Sequence, residues 1–173
     1  MTGAQRRRFH EWETMRQRFA HSQSIRVAID ASDPEGCPTQ FVVDYDLLSI
    51  CGVGEDGAPE FHRGYKMLIT LPPNYPCVDA PPCFRFVPPV PYHPNVRYRG
   101  DMAGHVCLNR LNTFVDLAWG VERIALYLRY ELYHAEMTPP YPEDLDVARW
   151  VRETGEPKRL IYFNQDQTTD TDD

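Results

Sequence analysis

The chain has 173 residues, of which 42% are hydrophobic and 25% are charged. This balance is typical of folded proteins and excludes disordered, collagen-like and disulfide-dominated classes, while the length predicts one domain with its own core. There are 18 basic and 25 acidic residues, for a formal net charge of -7. With this charge, neither nucleic acid nor an anionic membrane is expected as the main partner.

The cysteines predict neither a disulfide framework nor a metal centre. Five cysteines are an odd number, and no apolar leader follows the first methionine, so we expect a reducing, cytoplasmic location. No apolar stretch approaches the roughly 20 residues that span a bilayer, so no membrane contact is expected. His105 and Cys107 have metal-like spacing, but structural zinc needs about four such ligands, so no metal is expected.

The first half of the chain changes from a helical pattern to strand patterns. Apolar side chains recur at helical spacing at Phe9, Trp12, Met15 and Phe19. This stripe predicts an amphipathic helix over residues 4–20 that buries it. Alternating or β-branched segments then predict strands at residues 22–30, 40–50, 64–71 and 83–87. Consecutive strands with short links indicate an antiparallel meander.

The second half begins with a stiff loop and continues with helices. Residues 72–94 hold nine of the sixteen prolines, which excludes a helix or a regular central strand for most of this stretch. After Trp119, an apolar stripe predicts a helix that ends near Tyr133 or His134. A shorter helix is predicted over residues 143–152, with inward side chains at Leu145, Ala148 and Val151.

These elements together predict an α+β fold with an N-terminal helix, a four-stranded antiparallel meander, a long loop and C-terminal helices. We expect a single domain over residues 1–154. Residues 155–173 are expected to form a tail that has one apolar patch and an Asp- and Thr-rich end. That end is predicted to be disordered.

Cys107 is the strongest candidate for chemistry. It follows the flexible segment 100–104 and lies shortly after His93, Pro94 and Asn95. A thiol on a loop beside a side-chain amide suits nucleophilic catalysis with an oxyanion donor, and a buried inert thiol is the alternative. His93 is either the base of a cysteine hydrolase or a structural residue, and its place in a stiff loop favours the structural role.

The first twenty residues are basic although the whole chain is acidic. Two glutamates are outnumbered there by five arginines, namely Arg6, Arg7, Arg8, Arg16 and Arg18. This end is either a docking surface for a partner or a solvated charged face.

Several short motifs occur in a characteristic order: Tyr75-Pro76, Pro81-Pro82, His93-Pro94-Asn95, Val106-Cys107-Leu108, and Trp119 before an amphipathic helix. This order resembles that of the ubiquitin-conjugating enzymes, over about residues 5–152. The resemblance implies a fold with an N-terminal helix, a four-stranded antiparallel meander, an active-site loop and C-terminal helices. The patterns above predict the same architecture.

The resemblance also implies a role for each site residue. Cys107 would receive the C-terminal glycine of a ubiquitin-like protein from an activating enzyme as a thioester, and pass it to an amine of a target protein. Only the activating enzyme would use ATP, so no cofactor is expected. Asn95 would stabilise the oxyanion or the active-site loop, with His93 and Pro94 structural. The arginine-rich first helix would dock the activating enzyme.

Counting forward from Trp119 assigns roles to two further residues by resemblance. Glu143 and Leu145 fall where the family often has an acidic gate residue and a nearby leucine. Glu143 would orient or deprotonate the incoming lysine. A solvated acid that begins a helix is an equal alternative.

The sequence also departs from the family pattern around the nucleophile. Eleven residues separate Asn95 from Cys107, and eleven separate Cys107 from Trp119. Both intervals are longer than is common in the family, so the catalytic loop is expected to be remodelled. Asn109 stands where many members carry an aspartate, which removes one negative charge beside the nucleophile.

Two positions of the expected ligase-docking surface differ as well. Cys77 stands where ligase-binding members often carry an aromatic residue, and Gly120-Val121 follows Trp119 where serine-proline-alanine is usual. We therefore expect no ordinary RING-type ligase. Such divergence resembles the stand-alone conjugating enzymes of bacterial operons that are implicated in phage defence. The alternatives are a non-catalytic relative that only binds ubiquitin-like proteins, and a cysteine hydrolase.

Overall fold

The computed structural model describes residues 1–77, 80–108 and 116–167. Its regular elements, in chain order, are α1 (Gly3–Arg18), β1 (Ile25–Ser32), β2 (Pro38–Val53), β3 (Pro59–Thr70), β4 (Cys83–Val87), α2 (Leu117–Leu128), α3 (Leu145–Trp150) and a π-helical segment (Val151–Gly155). The predicted α+β architecture is confirmed. Among these described residues, no helix is long and apolar enough to cross a membrane.

The four strands form one antiparallel sheet in the order β1-β2-β3-β4, which is the predicted meander. The register places Val43 opposite Met67 and Phe41 opposite Ile69, and all four side chains are fully buried. Alternate residues of the two central strands therefore face one interior. β2 and β3 are longer than predicted because their pairing continues to the turn that joins them.

α2 packs against the inner face of the sheet through a buried apolar stripe, formed by Val121, Ile124, Ala125 and Leu128. Gly120 allows the close approach, since a Cβ there would lie 2.9 Å from the Phe84 ring. The helix ends at Leu128 rather than near Tyr133. The reason is Tyr130, whose φ of 56° is in the left-handed region that an α-helix cannot include.

α1 buries a face that is partly polar. Its buried residues are Arg8, Glu11 and Met15, while Phe9 is 40% exposed. The prediction that Phe9 belongs to the inward stripe is therefore wrong. The Glu11 carboxylate accepts the buried N–H of Leu117, and a terminal nitrogen of Arg8 donates to the Pro73 carbonyl, so these residues take the inward positions and Phe9 faces outward.

The phase of α3 also differs from the prediction. Val147 and Ala148 are buried, whereas Leu145 is 41% exposed, so the prediction that Leu145 faces inward is wrong. The preceding residue, Asp144, is a buried N-cap that accepts hydrogen bonds from the backbone N–H groups of Asp146 and Val147. This cap sets the first turn so that Leu145 faces outward.

The packed structure extends beyond the domain boundary predicted at residue 154. Ile161 is 1% exposed and packs in a second core cluster with Ile50 and Val151. Further along, the Gln165 amide bonds both backbone groups of Leu48, at 2.8 and 2.9 Å. The predicted disordered end falls within residues 168–173, which lie outside the described residues.

Candidate active site

Cys107 lies at the end of a backbone extension of the sheet. Residues 104–106 bond the outer edge of β4, with N···O distances of 2.9 and 3.0 Å. On the other side of this segment, residues 95–97 add a second short antiparallel pairing, in which the Cys107 N–H donates to the Asn95 carbonyl at 2.8 Å. The half-buried Cys107 is therefore held by the sheet through backbone hydrogen bonds.

Gly104 makes the pairing with β4 possible. Its φ of 86° is in the left-handed region that favours glycine. A Cβ at this position would also overlap the backbone of Phe86. Gly104, which the sequence places only in a flexible segment, is therefore a fixed contact with β4, three residues before Cys107.

His93 is a buried hub of the loop and has no access to solvent. Its Nδ1 accepts the N–H of Asn95 at 3.1 Å, so Nε2 carries the proton and donates it to the Leu132 carbonyl at 3.1 Å. The ring stacks on Tyr127 with centroids 4.9 Å apart. Burial lowers the pKa of His93 to about 3. A neutral ring with both nitrogens engaged cannot serve as the base for Cys107.

Asn95 is also buried, and its amide joins two segments. Oδ1 accepts the N–H of His134 at 2.8 Å, and Nδ2 donates to the carbonyl of Cys107 at 3.4 Å. Together with its backbone bond to the Cys107 N–H, Asn95 holds both backbone polar groups of the cysteine. This geometry favours the loop-stabilising role over the oxyanion role, which the sequence left open.

Tyr127 and Arg123 belong to the site although sequence reasoning missed them. The Tyr127 hydroxyl donates to the Cys107 carbonyl at 3.4 Å and accepts from Arg123 Nε at 3.2 Å. Burial raises the pKa of Tyr127, an effect that Arg123 opposes. The Arg123 guanidinium also lies 5.1 Å from the centre of the Trp119 ring. No local pattern marks these residues, because their roles depend on how α2 packs beside the loop.

The segment before α3 is fixed against the same loop. The Asp144 N–H donates to the Pro94 carbonyl at 3.0 Å, and its carboxylate accepts the N–H of Tyr98 at 3.0 Å. Beside it, Glu143 Oε1 lies 3.4 Å from both Arg97 Nε and His105 Nδ1. Sequence reasoning missed Asp144, although an aspartate before a helical pattern is an N-cap signal.

The structure thus brings together most of the residues chosen from the sequence. Cys107 and Asn95 are in direct contact, and Glu143 is tied to the same paired segment. Leu145 follows two residues later on the surface. Asn109 lies outside the described residues, so its predicted place beside the nucleophile stays a prediction.

The arginines of α1 do not all face solvent. Arg8 is 6% exposed and donates to the Pro73 carbonyl at 2.6 Å, so the expectation that it faces a partner is corrected. Arg7 is partly buried and pairs with Glu11 inside the fold. The exposed docking candidates are therefore Arg6, Arg16 and Arg18.

Within the described parts of the chain, no group of three or more His, Cys, Asp or Glu side chains is placed to hold a metal ion.

Comparison with known proteins identifies the class of protein. The sequence profile of the ubiquitin-conjugating enzymes matches residues 23–157, which is most of the chain. The protein therefore belongs to the ubiquitin-conjugating enzyme family, and the family predicted from the ordered motifs is confirmed. No curated protein matches the chain.

Solved structures show the same fold at low sequence identity. A Plasmodium yoelii protein assigned to the ubiquitin conjugating enzymes is 21% identical with a TM-score of 0.57, over 93% of this chain and 90% of that chain. A ubiquitin conjugating enzyme domain from Toxoplasma gondii is 20% identical with a TM-score of 0.53, over 90% of each chain.

Proposed function

We propose that this protein accepts a ubiquitin-like protein as a thioester on Cys107 and transfers it to an amine of a target protein. The observation that carries the proposal is the fixed position of Cys107. Its two backbone polar groups are held by Asn95, while its half-buried side chain stands at the end of the segment that carries the family motif. Membership of the family supports conjugating activity in general.

The chemistry needs positioning more than a strong base. In the first step the Cys107 thiolate attacks the thioester carbonyl carbon on the activating enzyme, and the thiolate of that enzyme leaves. In the second step the amine nitrogen bonds the carbonyl carbon of the new thioester and gives up one N–H proton to a base, the C–S bond breaks, and Cys107 leaves as a thiolate. Activation was supplied beforehand by ATP on the partner, so orientation and oxyanion stabilisation account for most of the catalysis expected here.

The test is intact-protein mass spectrometry after incubation with ATP, the cognate activating enzyme and the ubiquitin-like protein. An adduct that reductant removes supports the proposal. Stable binding of the ubiquitin-like protein without an adduct would favour the non-catalytic relative. Release of ester or peptide products without any activating enzyme would favour the hydrolase, although His93 is not available as its base.

Asn95→Ala should weaken the loop as well as the chemistry. The change removes the Oδ1 acceptor of the His134 N–H and one side-chain donor to the Cys107 carbonyl, which keeps the Tyr127 hydroxyl. The net cost of losing such a hydrogen bond is about 0.5–1.5 kcal/mol. We expect a lower melting temperature and slower charging and discharge together. Thermal denaturation and single-turnover assays check this. Unchanged stability with a defect in discharge alone would instead indicate the oxyanion role.

Docking of the activating enzyme is proposed for the exposed arginines of α1. Reversing Arg6, Arg16 and Arg18 to glutamate should slow charging by about 10-fold or more at low salt, because complementary charge steers association. Discharge of preloaded enzyme should not change. Arg149→Glu is the matched control, since Arg149 is equally exposed and forms a similar i,i+3 ion pair. Equal charging rates for both variants would contradict the proposal.

We also propose a cytoplasmic, stand-alone enzyme that needs no separate ligase, in the manner of bacterial conjugating enzymes implicated in phage defence. The support comes from the residues after Trp119. The family usually has serine-proline-alanine there, whereas this chain has Gly120, which allows α2 to pack closely on Phe84. Transfer to an amine by the charged enzyme alone is the expected result. A strict requirement for an added ligase would contradict this part.

A further inference from the structure

His105 and Cys107 occupy the same face of one extended segment. The flanking hydrogen bonds pair this segment on both sides, and in such backbone successive side chains alternate. Val106 between them is 5% exposed and turned into the core, whereas the side chains of His105 and Cys107 are only partly buried. Residues two apart in an extended segment are separated by roughly 6–7 Å along the backbone. The imidazole is therefore a neighbour of the nucleophile on its accessible side.

Glu143 holds this imidazole in one orientation. Its Oε1 lies 3.4 Å from His105 Nδ1, and Arg97 Nε lies at the same distance from that oxygen. The carboxylate cannot easily move away, because the next residue, Asp144, bonds the Pro94 carbonyl and the Tyr98 N–H. A carboxylate facing Nδ1 favours the proton on that nitrogen, which makes Nε2 the acceptor.

The charged and titratable groups around His105 come from three elements besides its own segment. Arg97 belongs to the opposing segment and Glu143 precedes α3. Arg85 on β4 pairs with His105 along the backbone, but its guanidinium donates to the carbonyls of Asp101 and Ala103. Among the described residues, the carboxylate that faces the His105 imidazole directly is that of Glu143.

We propose that His105 is the proton acceptor for the attacking amine and that Glu143 is its positioning residue; this deepens the proposed function and rests on it. The amine nitrogen bonds the thioester carbonyl carbon, His105 Nε2 takes one N–H proton, and the C–S bond breaks. The products are an amide, the Cys107 thiolate and a protonated imidazole. Glu143, expected from the sequence to act on the lysine itself, acts here through His105.

The test acylates Cys107 directly, without an activating enzyme. The full chain is treated with a diglycyl thioester of 2-mercaptoethanesulfonate, excess reagent is removed, and the acyl group on Cys107 is followed by peptide mass spectrometry. Discharge is then measured with free lysine and with hydroxylamine from pH 6 to 9. Hydroxylamine is already unprotonated at neutral pH, so it depends little on a protein base.

His105→Gln should slow discharge to lysine by about 100-fold at neutral pH, the lower end of what general base catalysis contributes. The deficit should shrink as pH rises, and discharge to hydroxylamine should stay close to that of the unchanged protein. Glu143→Gln should give a smaller loss with the same pattern. His21→Gln, at an exposed position after α1, should change neither rate.

Four outcomes would overturn the inference. Equal lysine rates for the His105 and His21 variants would exclude a base at this position. Equal losses with lysine and hydroxylamine, or a lowered melting temperature, would show a structural role. Failure of Cys107 to acylate would show that the thiol is not accessible. Normal discharge kinetics combined with no charging by the activating enzyme would instead contradict only the proposed partner.

Discussion

Cys107→Ser should convert a reductant-sensitive adduct into one that survives reductant, and Cys107→Ala should give no adduct at all. The serine hydroxyl forms an oxyester at the same fixed position, but a neutral hydroxyl is a much weaker nucleophile than a thiolate. We therefore expect slow charging of the serine variant. Intact-protein mass spectrometry with and without reductant checks both variants in the presence of the activating enzyme.

Two measurements make this prediction specific to the site. Cys83→Ala is the control, because Cys83 is an exposed thiol that would take up acyl groups non-specifically; its loss should leave charging unchanged. The melting temperatures of the Cys107 variants should stay close to that of the unchanged protein. An unfolded Cys107→Ala variant would show that the cysteine is structural, and an adduct on this variant would place the chemistry elsewhere.

Glu11→Ala should destabilise the protein by about 2–6 kcal/mol, because the Tyr75 hydroxyl and the Leu117 N–H each lose their buried acceptor, at about 1–3 kcal/mol for each donor. The Glu11 carboxylate is fully buried and accepts from Arg7 Nε at 2.6 Å, the Tyr75 hydroxyl at 2.8 Å and the Leu117 N–H at 2.8 Å. Burial, and the adjacent carboxylate, raise the pKa of Tyr75, so its hydroxyl remains a donor. One residue thus joins α1, the proline-rich loop and the start of α2.

Denaturant unfolding measures this effect against a matched change on the same helix. Glu13 is an exposed glutamate that bonds Arg16 and Gln17 on the surface, so Glu13→Ala should change the unfolding midpoint very little. A typical domain has about 5–15 kcal/mol of stability in total, so the Glu11 variant loses a large share. Similar midpoints for the two variants would contradict the role of Glu11 as a buried hub.

Patterns within short stretches predicted the elements well. The period-two segments become four strands in the expected order, and β4 has the bounds that the alternation indicated. The stripe after Trp119 becomes α2, with its apolar residues buried. These predictions succeeded because backbone periodicity and apolar spacing are local properties. The order of the motifs was enough to predict the family, because the motifs can be identified in the sequence without a structure.

The predictions that Phe9 and Leu145 are buried were wrong for one physical reason. In both helices, hydrogen bonds of polar residues determine which face packs against the core. Glu11 and Arg8 take the inward positions of α1, since each has a hydrogen-bond partner far along the chain, at Leu117 and Pro73. Asp144 caps α3 and turns Leu145 to the surface. The spacing of apolar residues predicts the buried face of a helix only when no polar residue of that helix forms hydrogen bonds that place it inward.

The sequence by itself determined the α+β class, the meander, the family and the candidate nucleophile, because these depend on local periodicity and on the order of motifs. Only the tertiary structure decided what surrounds Cys107. Tyr127 reaches its carbonyl from α2, and Glu143 reaches His105 from the segment before α3. These contacts join residues separated by 20 and 38 positions, and no pattern within a short stretch specifies which distant side chains meet.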